Sequence, residues 1–376
     1  MISPYTPNFI SENLKSRVTV PIIPDPEKLN FHFKKSYELK WLSNFGPCYQ
    51  ELKASLCNFL GTPFIELFSS GTQALTCGLK TLELKGEVIT SPFTFPATIN
   101  AIKWAGLQPV FADIELETLT ISPDSVASMI DNHSSAILGV DVYGNRCEHS
   151  RLAKISKDAN LKLVYDSAHS FGPGLFSGEN SNMGTFNMIS FHATKLFHTC
   201  EGGALVFEDE CLVDKLSRVQ NFGFIKEDHF ESSGTNAKLS ELHAAMGLAV
   251  LERLDEEFSH RAQLSETYRE ILRSDNSVSV HPLQNFMPAY TYFSLLFSCE
   301  NGNTRRNRVH ESLKKNGFGS RKYFNPLCSE VDCFANAKRA NLDVAKWVVD
   351  RVLCLPLHKF IHPEDAATIA QIVLES

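Results

Sequence analysis

Between residues 60 and 210 the sequence alternates short apolar runs with segments of helical character. Seven runs have the length and composition of buried strands: Phe64–Phe68, Glu87–Thr90, Pro109–Phe111, Ala136–Val140, Leu161–Tyr165, Asn187–Phe191 and Ala204–Phe207. Helical segments lie between them, near residues 71–83, 96–105, 123–131 and 150–159. This alternation predicts an α/β fold with a mostly parallel sheet covered on both faces. Ligands bind such sheets at the carboxyl ends of the strands, so the residues after each strand are the first candidates for a site.

The composition predicts a globular protein of a reducing compartment. The chain has 376 residues, of which 43% are hydrophobic, and its net charge of −7 argues against DNA or RNA as a partner. Its ten cysteines are scattered, with no CxxC pair and no compact Cys/His ligand set, so no metal site is expected. No signal-peptide pattern opens the chain, and no apolar run approaches the ~20 residues of a membrane span. We therefore expect a cytoplasmic protein.

The remainder of the chain suggests a second, smaller unit. Residues 238–256 give the clearest helical pattern, with Leu239, Leu242, Met246 and Ala249 at helical spacing. Further apolar and helical segments follow at Tyr290–Phe297, Arg305–Asn316 and Val352–Leu355. We expect a large domain over residues 1–256 and a small C-terminal domain over residues 257–376.

The segments after the first two strands offer a phosphate site and a stacking surface. S69-S-G-T-Q-A-L75 opens a helix, whose free N–H groups and positive dipole end suit a phosphate. Gly71 allows the backbone to approach closely and Thr72 adds a hydroxyl, although an ordinary serine N-cap is the alternative. S91-P-F-T-F-P96 follows the second strand, and its aromatic side chains either stack on a planar ring or belong to the core.

An aspartate and a lysine follow two later strands. Asp166 ends a buried apolar strand, where an unpaired carboxylate is costly, so it needs a partner. A protonated ring nitrogen is one such partner, with His169 beside the same ring, and an N-cap role for Asp166 is the alternative. Lys195 lies in a run of small, aromatic and imidazole side chains, where exclusion of water favours a neutral, nucleophilic amine. Together the four strand ends supply the phosphate anchor, stacking face, anion and lysine that pyridoxal phosphate requires.

In these motifs the sequence resembles the DegT/DnrJ/EryC1/StrS family of pyridoxal-phosphate-dependent sugar aminotransferases. The resemblance covers nearly the whole chain, through LSNFGP, SSGTQAL, SPFTFPATINAI, VFADI, DVYGN, VYDSAHSFG, SFHATK, EGGALVF, GTNAKLSELHAAMG and CLPLH. It implies a fold type I transferase, with a mostly parallel central sheet and a smaller C-terminal α/β domain.

The resemblance implies a role for each matching position around the cofactor ring. Lys195 would bond to the cofactor aldehyde and then move protons between substrate and cofactor. Asp166 would pair with the pyridine nitrogen, His169 would lie near the ring hydroxyl, and Phe95 would stack on the ring.

Other matching positions concern the phosphate and the partner subunit. Gly71, Thr72 and Ser190 would hold the phosphate. Asn236 matches an asparagine that reaches the phosphate of the neighbouring subunit, which implies a homodimer with shared active sites. Tyr323 and His358 are candidates for the substrate pocket.

The resemblance also indicates a reaction. It implies that L-glutamate gives its amino group to a nucleotide-linked keto-deoxy sugar. His192-Ala193-Thr194 replaces the more frequent His-Pro-Thr and resembles a subset that acts on dTDP-4-keto-6-deoxy sugars. The expected product is dTDP-4-amino-4,6-dideoxy-D-glucose, for a surface polysaccharide such as the O-antigen of lipopolysaccharide. GDP-4-keto-6-deoxymannose and a 3-keto sugar stay open as substrates.

Three other functions share features with this sequence. Some dehydratase relatives replace the lysine with histidine, so Lys195 favours transamination. A nicotinamide oxidoreductase would need G-x-G-x-x-G after the first strand, and the nearest pattern, G172-P-G-L-F-S-G178, has the wrong spacing. A protein that binds pyridoxal phosphate without turnover stays open. The basic residues between positions 305 and 322 either meet the nucleotide diphosphate or form a solvated helix face.

Overall fold

The computed structural model describes residues 13–177, 184–281 and 290–376. Its α-helices are α1 (Pro26–Glu38), α2 (Pro47–Leu60), α3 (Gly71–Thr81), α4 (Pro96–Trp104), α5 (Pro123–Met129), α6 (His149–Asp158), α7 (Cys211–Val219), α8 (Glu241–Leu251), α9 (Leu254–Leu272), α10 (Gly302–Lys315), α11 (Asp343–Val349) and α12 (Pro363–Glu375). Its strands are β1 (Phe64–Phe68), β2 (Glu87–Thr90), β3 (Gln108–Phe111), β4 (Ser134–Val140), β5 (Lys162–Asp166), β6 (Phe186–Ser190), β7 (Gly203–Phe207), β8 (Phe224–Lys226), β9 (His229–Phe230), β10 (Val278–His281), β11 (Phe293–Phe297) and β12 (Val352–Leu355). Within these ranges, no helix is long and apolar enough to cross a membrane.

The central sheet has seven strands in the order β1-β7-β6-β5-β4-β2-β3. The five strands from β6 to β3 pair in parallel, whereas β7 is antiparallel to both of its neighbours. A parallel return needs a long crossover, usually a helix, and the segment between β6 and β7 contains no helix, so β7 runs back beside β6. The predicted fold class is confirmed, and each of the seven predicted strands is present with its bounds shifted by two residues at most.

The single helix predicted over residues 238–256 is wrong in its bounds. The Ser240 side chain accepts a hydrogen bond from the His243 N–H and caps α8, which begins at Glu241 and ends at Leu251. A separate helix, α9, begins at Leu254. Leu242, expected on the buried face, is 51% exposed.

Glu241 explains which face of α8 is buried. Its carboxylate accepts hydrogen bonds from the Cys48 N–H at 2.7 Å and the Tyr49 N–H at 3.2 Å. These groups lie in the first turn of α2, whose N-cap residue, Gly46, has no side chain to offer. Glu241 therefore caps α2 from a distant helix and turns Leu242 towards the surface.

A second sheet, β10-β11-β12, lies in the C-terminal part and is antiparallel throughout. Leu264 and Tyr268 of α9 share a core with this sheet and with α12, whereas Leu254 packs in the core formed around α2 and α8. We propose that the smaller domain begins within α9, near residue 257.

Candidate active site

A cavity of about 350 Å³ lies at the carboxyl ends of the central strands. It gathers eight of the ten site residues predicted from the sequence: Gly71, Thr72, Phe95, Asp166, His169, Ser190, Lys195 and Tyr323. Asp166 and Ser190 are the last residues of β5 and β6, and Gly71 follows β1. The fold thus brings together residues that are up to 252 positions apart in the chain, from Gly71 to Tyr323.

The start of α3 forms an anion-binding cradle. The Ser70 hydroxyl accepts a hydrogen bond from the Gln73 N–H, and the N–H groups of Gly71 and Thr72, in the first turn, have no partner within the helix. A Cβ atom at Gly71 would lie 3.0 Å from the Met188 sulfur and 3.3 Å from the Ser190 Cβ. Glycine therefore lets the helix N-terminus pack directly against β6, where its dipole favours a bound phosphate.

Asp166 is a buried carboxylate aimed at this cavity. It accepts hydrogen bonds from the Thr98 hydroxyl at 2.7 Å and from the Ala168 N–H at 3.1 Å. Burial raises the pKa of Asp166, although these hydrogen bonds and the charge of Lys195 lower it in part. A cation placed against this carboxylate would relieve the cost of its burial, and a protonated pyridine nitrogen is such a cation.

Lys195 carries the amine that faces the same cavity. Its backbone N–H donates to the His192 carbonyl at 2.8 Å, and its Nζ lies 5.4 Å from the centre of the Tyr292 ring. Burial lowers the pKa of Lys195 to about 8, and the charge of Asp166 opposes this shift. Roughly one amine in ten is then neutral at pH 7, far more than for a lysine with an ordinary pKa.

His169 is held as a neutral ring. The Tyr143 N–H donates to Nδ1 at 3.1 Å, which places the ring proton on Nε2. Burial lowers the pKa of His169 well below its usual range, and the Lys195 charge lowers it further. Tyr292 and Phe324 contact the ring at 4.9 and 5.6 Å between centroids and fix its orientation. His169 can therefore donate a hydrogen bond to an oxygen in the cavity.

Aromatic side chains line the opening of the cavity. The Phe95 ring is 57% exposed, so one face is available to a planar group. The Tyr323 ring lies 5.4 Å from that of Tyr292, and the Tyr143 hydroxyl donates to the Tyr323 carbonyl. These positions agree with the stacking and pocket roles that the resemblance implies.

His358 and Asn236 do not line the cavity. His358 is buried, with Nε2 donating to the Arg17 carbonyl at 3.0 Å, and burial lowers its pKa to about 4. This contact gives His358 a packing role instead of a place in the pocket. Asn236 is exposed and accepts a hydrogen bond from the amine of Lys238 at 2.8 Å.

Three residues at the site, Tyr292, Glu201 and Thr98, had no role assigned from the sequence, and Arg321 was left open between the nucleotide diphosphate and a solvated helix face. Tyr292 and Arg321 line the cavity from the C-terminal part of the chain, and Glu201 lines it beside His192. Thr98 supports Asp166 from α4, and its hydroxyl also lies 2.8 Å from that of Thr94. Thr98 and Glu201 lie within two motifs of the family resemblance, SPFTFPATINAI and EGGALVF, and Arg321 belongs to the basic stretch.

The lowered pKa of Lys195 predicts how its amine reacts with pH. In the protein without cofactor, we expect labelling of Lys195 by a small amine-reactive reagent to rise with pH and to reach half its maximum rate near pH 8. Peptide mass spectrometry across a pH series measures the labelling of this site. In Asp166→Asn the midpoint for Lys195 should fall, and an unchanged midpoint above pH 10 in the wild type would contradict the buried amine.

The groups around the cavity fit pyridoxal phosphate. The start of α3 can hold the phosphate, and one face of the Phe95 side chain can stack on the ring. Asp166 can pair with the ring nitrogen, and Lys195 can bond to the aldehyde. Fold and cavity therefore define the class of the protein as an enzyme of the pyridoxal-phosphate-dependent aminotransferase type.

The family follows from comparison with known proteins. The DegT/DnrJ/EryC1/StrS aminotransferase family matches residues 26–374, and the chain belongs to that family. The dTDP-4-amino-4,6-dideoxy-D-glucose transaminase of Escherichia coli is 36% identical over 95% of this chain and 97% of its own length. The enzyme of the same name from Shigella dysenteriae is 36% identical over 91% of this chain and 93% of its own. The crystal structure of DesI in the presence of its TDP-sugar product aligns with a TM-score of 0.88 at 31% identity, covering 96% of this chain and 92% of that one.

The resemblance found in the sequence is thereby confirmed. The protein is an aminotransferase, and pyridoxal phosphate is its cofactor, as the motifs predicted.

Proposed function

We propose that the protein transfers the amino group of L-glutamate to C4 of dTDP-4-keto-6-deoxy-D-glucose and forms dTDP-4-amino-4,6-dideoxy-D-glucose. The observation that carries this proposal is the 36% identity, over 95% of the chain, to an E. coli transaminase named for that sugar. The cavity supports it, because it combines a poised amine with a buried carboxylate and leaves an open mouth lined by aromatic side chains.

In this proposal Lys195 is the catalytic base and acid. Its amine has a pKa of about 8, so it can take a proton from the substrate carbon and return it nearby at neutral pH. The bound cofactor supplies the electron sink that stabilises the carbanion. Asp166 would keep the ring nitrogen protonated, and the Nε2–H of His169 would donate a hydrogen bond to the oxygen of the ring hydroxyl.

Four further residues would hold the cofactor. Gly71 and Thr72 would offer their N–H groups to the phosphate, and the Ser190 hydroxyl lies beside them at the end of β6. Phe95 would cover one face of the ring.

The same proposal includes a homodimer in which Asn236 contacts the phosphate bound by the partner subunit. Asn236 is exposed, and Phe222, Ile225 and Phe230 beside it expose 46%, 43% and 59% of their surface. Exposed apolar side chains grouped in this way are typical of an interface between chains. Analytical ultracentrifugation should then give twice the mass of one chain.

We also place the reaction in the cytoplasm, where its product would enter a surface polysaccharide such as O-antigen. All ten cysteines are free thiols, five of them buried, which suits a reducing compartment.

The test is product analysis with the purified enzyme, pyridoxal phosphate and L-glutamate. We expect dTDP-4-keto-6-deoxy-D-glucose to gain nitrogen from ¹⁵N-labelled glutamate at C4, seen by NMR, with D-glutamate as the control donor. A GDP-linked 4-keto sugar or a 3-keto sugar that reacts faster would replace the proposed substrate. A product that loses a hydroxyl without gaining nitrogen would identify a dehydratase and overturn the proposal.

A further inference from the structure

The basic stretch between residues 305 and 322 contains one cation that lines the cavity and several that bind other protein groups. Arg305 forms an ion pair with Asp275 at 2.7 Å, and the Lys322 amine donates to the Asn307 side chain at 2.6 Å. Arg306 is buried, and its guanidinium donates to the carbonyls of Val349 and Val352. Only Arg321 of this stretch lines the cavity.

Arg321 is fixed at its backbone and stacked at its side chain. Its N–H donates to the Cys354 carbonyl at 3.0 Å, and the Cys354 N–H donates back at 2.7 Å, which joins Arg321 to buried strand β12. Its guanidinium lies 4.7 Å from the centre of the Tyr323 ring. Among the residues that the structure describes, no carboxylate lies within 4.0 Å of this guanidinium. The planar N–H donors are therefore oriented and available to a ligand.

Among the residues that the structure describes, Arg321 is the cation at the cavity that is available to a substrate anion. The charged side chains of this part of the chain that line the cavity are Lys195, Arg321, Asp166 and Glu201. Lys195 and Asp166 face the cofactor, and Glu201 repels anions. A substrate that carries an anionic group must place it against a cation or lose its hydration without compensation.

Both substrates carry such a group at a distance from the reacting carbon. In L-glutamate the side-chain carboxylate lies two methylene groups beyond Cα. In a nucleotide-linked 4-keto sugar, the diphosphate is attached at C1, across the ring from C4. Because the two substrates of a ping-pong transaminase occupy the same cavity in turn, one arginine can bind both. Guanidinium matches the paired oxygens of carboxylate and phosphate alike.

We propose that Arg321 is the common anion-binding residue of both half-reactions, taking the side-chain carboxylate of the amino donor and the diphosphate of the nucleotide sugar in turn. This inference rests on the proposed function for the identity of the two substrates. It assigns to Arg321 a role in binding and not in the chemical step.

The experiment measures binding of two unreactive probes to the enzyme loaded with pyridoxal phosphate. Isothermal titration calorimetry gives the Kd of 2-oxoglutarate and of dTDP for the wild type, Arg321→Gln and Arg321→Lys. We expect Arg321→Gln to raise both Kd values about 10- to 100-fold, the usual effect of losing a hydrogen-bonded charge. Arg321→Lys keeps the positive charge but loses the planar guanidinium, so its Kd values should lie between those of the wild type and those of Arg321→Gln. In turnover, KM should rise for both substrates with a smaller change in kcat.

Arg308→Gln is the matched control, since Arg308 is exposed on α10 and does not line the cavity. It should bind both probes like the wild type, and all variants should keep the wild-type melting temperature and cofactor absorbance. Unchanged Kd values in Arg321→Gln would overturn the proposal, and a rise for one probe alone would overturn its common role. If the wild type aminated no keto sugar while Arg321→Gln still weakened both probes, the proposed function would fail and the anion site would stand.

Discussion

Lys195→Ala is expected to lower the rate of amino transfer at least about 10³-fold, because the variant loses both the group that bonds to the cofactor and the group that moves the proton. The amine is suited to both tasks by its position beside the Tyr292 ring, where burial lowers its pKa to about 8. Single-turnover kinetics with L-glutamate measure the first half-reaction directly. The visible absorbance of the loaded enzyme reports the bond between Lys195 and the cofactor, which should be present in the wild type and absent in Lys195→Ala.

Two further variants separate amine chemistry from charge and from folding. Lys195→Arg keeps a cation at this position, but a guanidinium stays protonated at neutral pH, so this variant should be as inactive as Lys195→Ala. Lys346→Ala removes an exposed amine on α11 and should behave like the wild type. Lys195→Ala turning over glutamate within tenfold of the wild-type rate would refute the role assigned to Lys195.

The sequence could predict the strands and the phosphate cradle because both depend on local signals. Buried parallel strands are near-continuous apolar runs, and Gly71 stands where a strand is followed directly by a helix start made of small residues. The prediction that Asp166 and Lys195 would meet required one more physical rule, that parallel strands end at the same edge of a sheet. The strand order and the antiparallel direction of β7 had no local signal.

Residues missed by the sequence analysis reach the site through tertiary packing. Tyr292 and Arg321 come from the C-terminal part, 97 and 126 positions after Lys195, and no spacing rule links them to the central sheet. The break between α8 and α9 was missed for a related reason. Helical periodicity continues across it, and the buried Glu241 that turns α8 is explained by the start of α2, almost 200 residues earlier. His358 was predicted at the pocket because its motif resembles the family, but its ring donates to the Arg17 carbonyl and lies outside the cavity.

Asp166→Asn is expected to lower amino transfer about 10²- to 10³-fold, the range typical of removing one preorganised electrostatic contact from an active site. The amide has nearly the shape of the carboxylate, so the loss of activity measures the effect of removing the charge and not a change in packing. Its oxygen can still accept from the Ala168 N–H, and its NH₂ can donate to Thr98 if the hydroxyls of Thr98 and Thr94 reverse their hydrogen bond. Single-turnover kinetics with L-glutamate give the rate.

The same variant should not destabilise the protein without cofactor. The pKa of Asp166 is raised in the folded state, so the folded chain binds the proton more tightly than the unfolded chain. The ionised carboxylate therefore costs stability above its folded pKa, and the cost disappears as the pH falls towards the ordinary value near 4. At pH 7 the Asp166→Asn apoprotein should be at least as stable as the wild type in urea, with the difference shrinking as the pH is lowered.

Pyridoxal phosphate is expected to reverse this order, because a protonated ring nitrogen beside Asp166 would compensate the buried charge. Loading should therefore raise the melting temperature of the wild type more than that of Asp166→Asn. An apoprotein clearly destabilised by Asp166→Asn at pH 7, with amino transfer retained, would mean that Asp166 is a cap for the turn at Ala168 and nothing more. The two readouts thus decide between the two roles that the sequence left open for Asp166: only a partner of the ring nitrogen loses activity while the apoprotein keeps its stability.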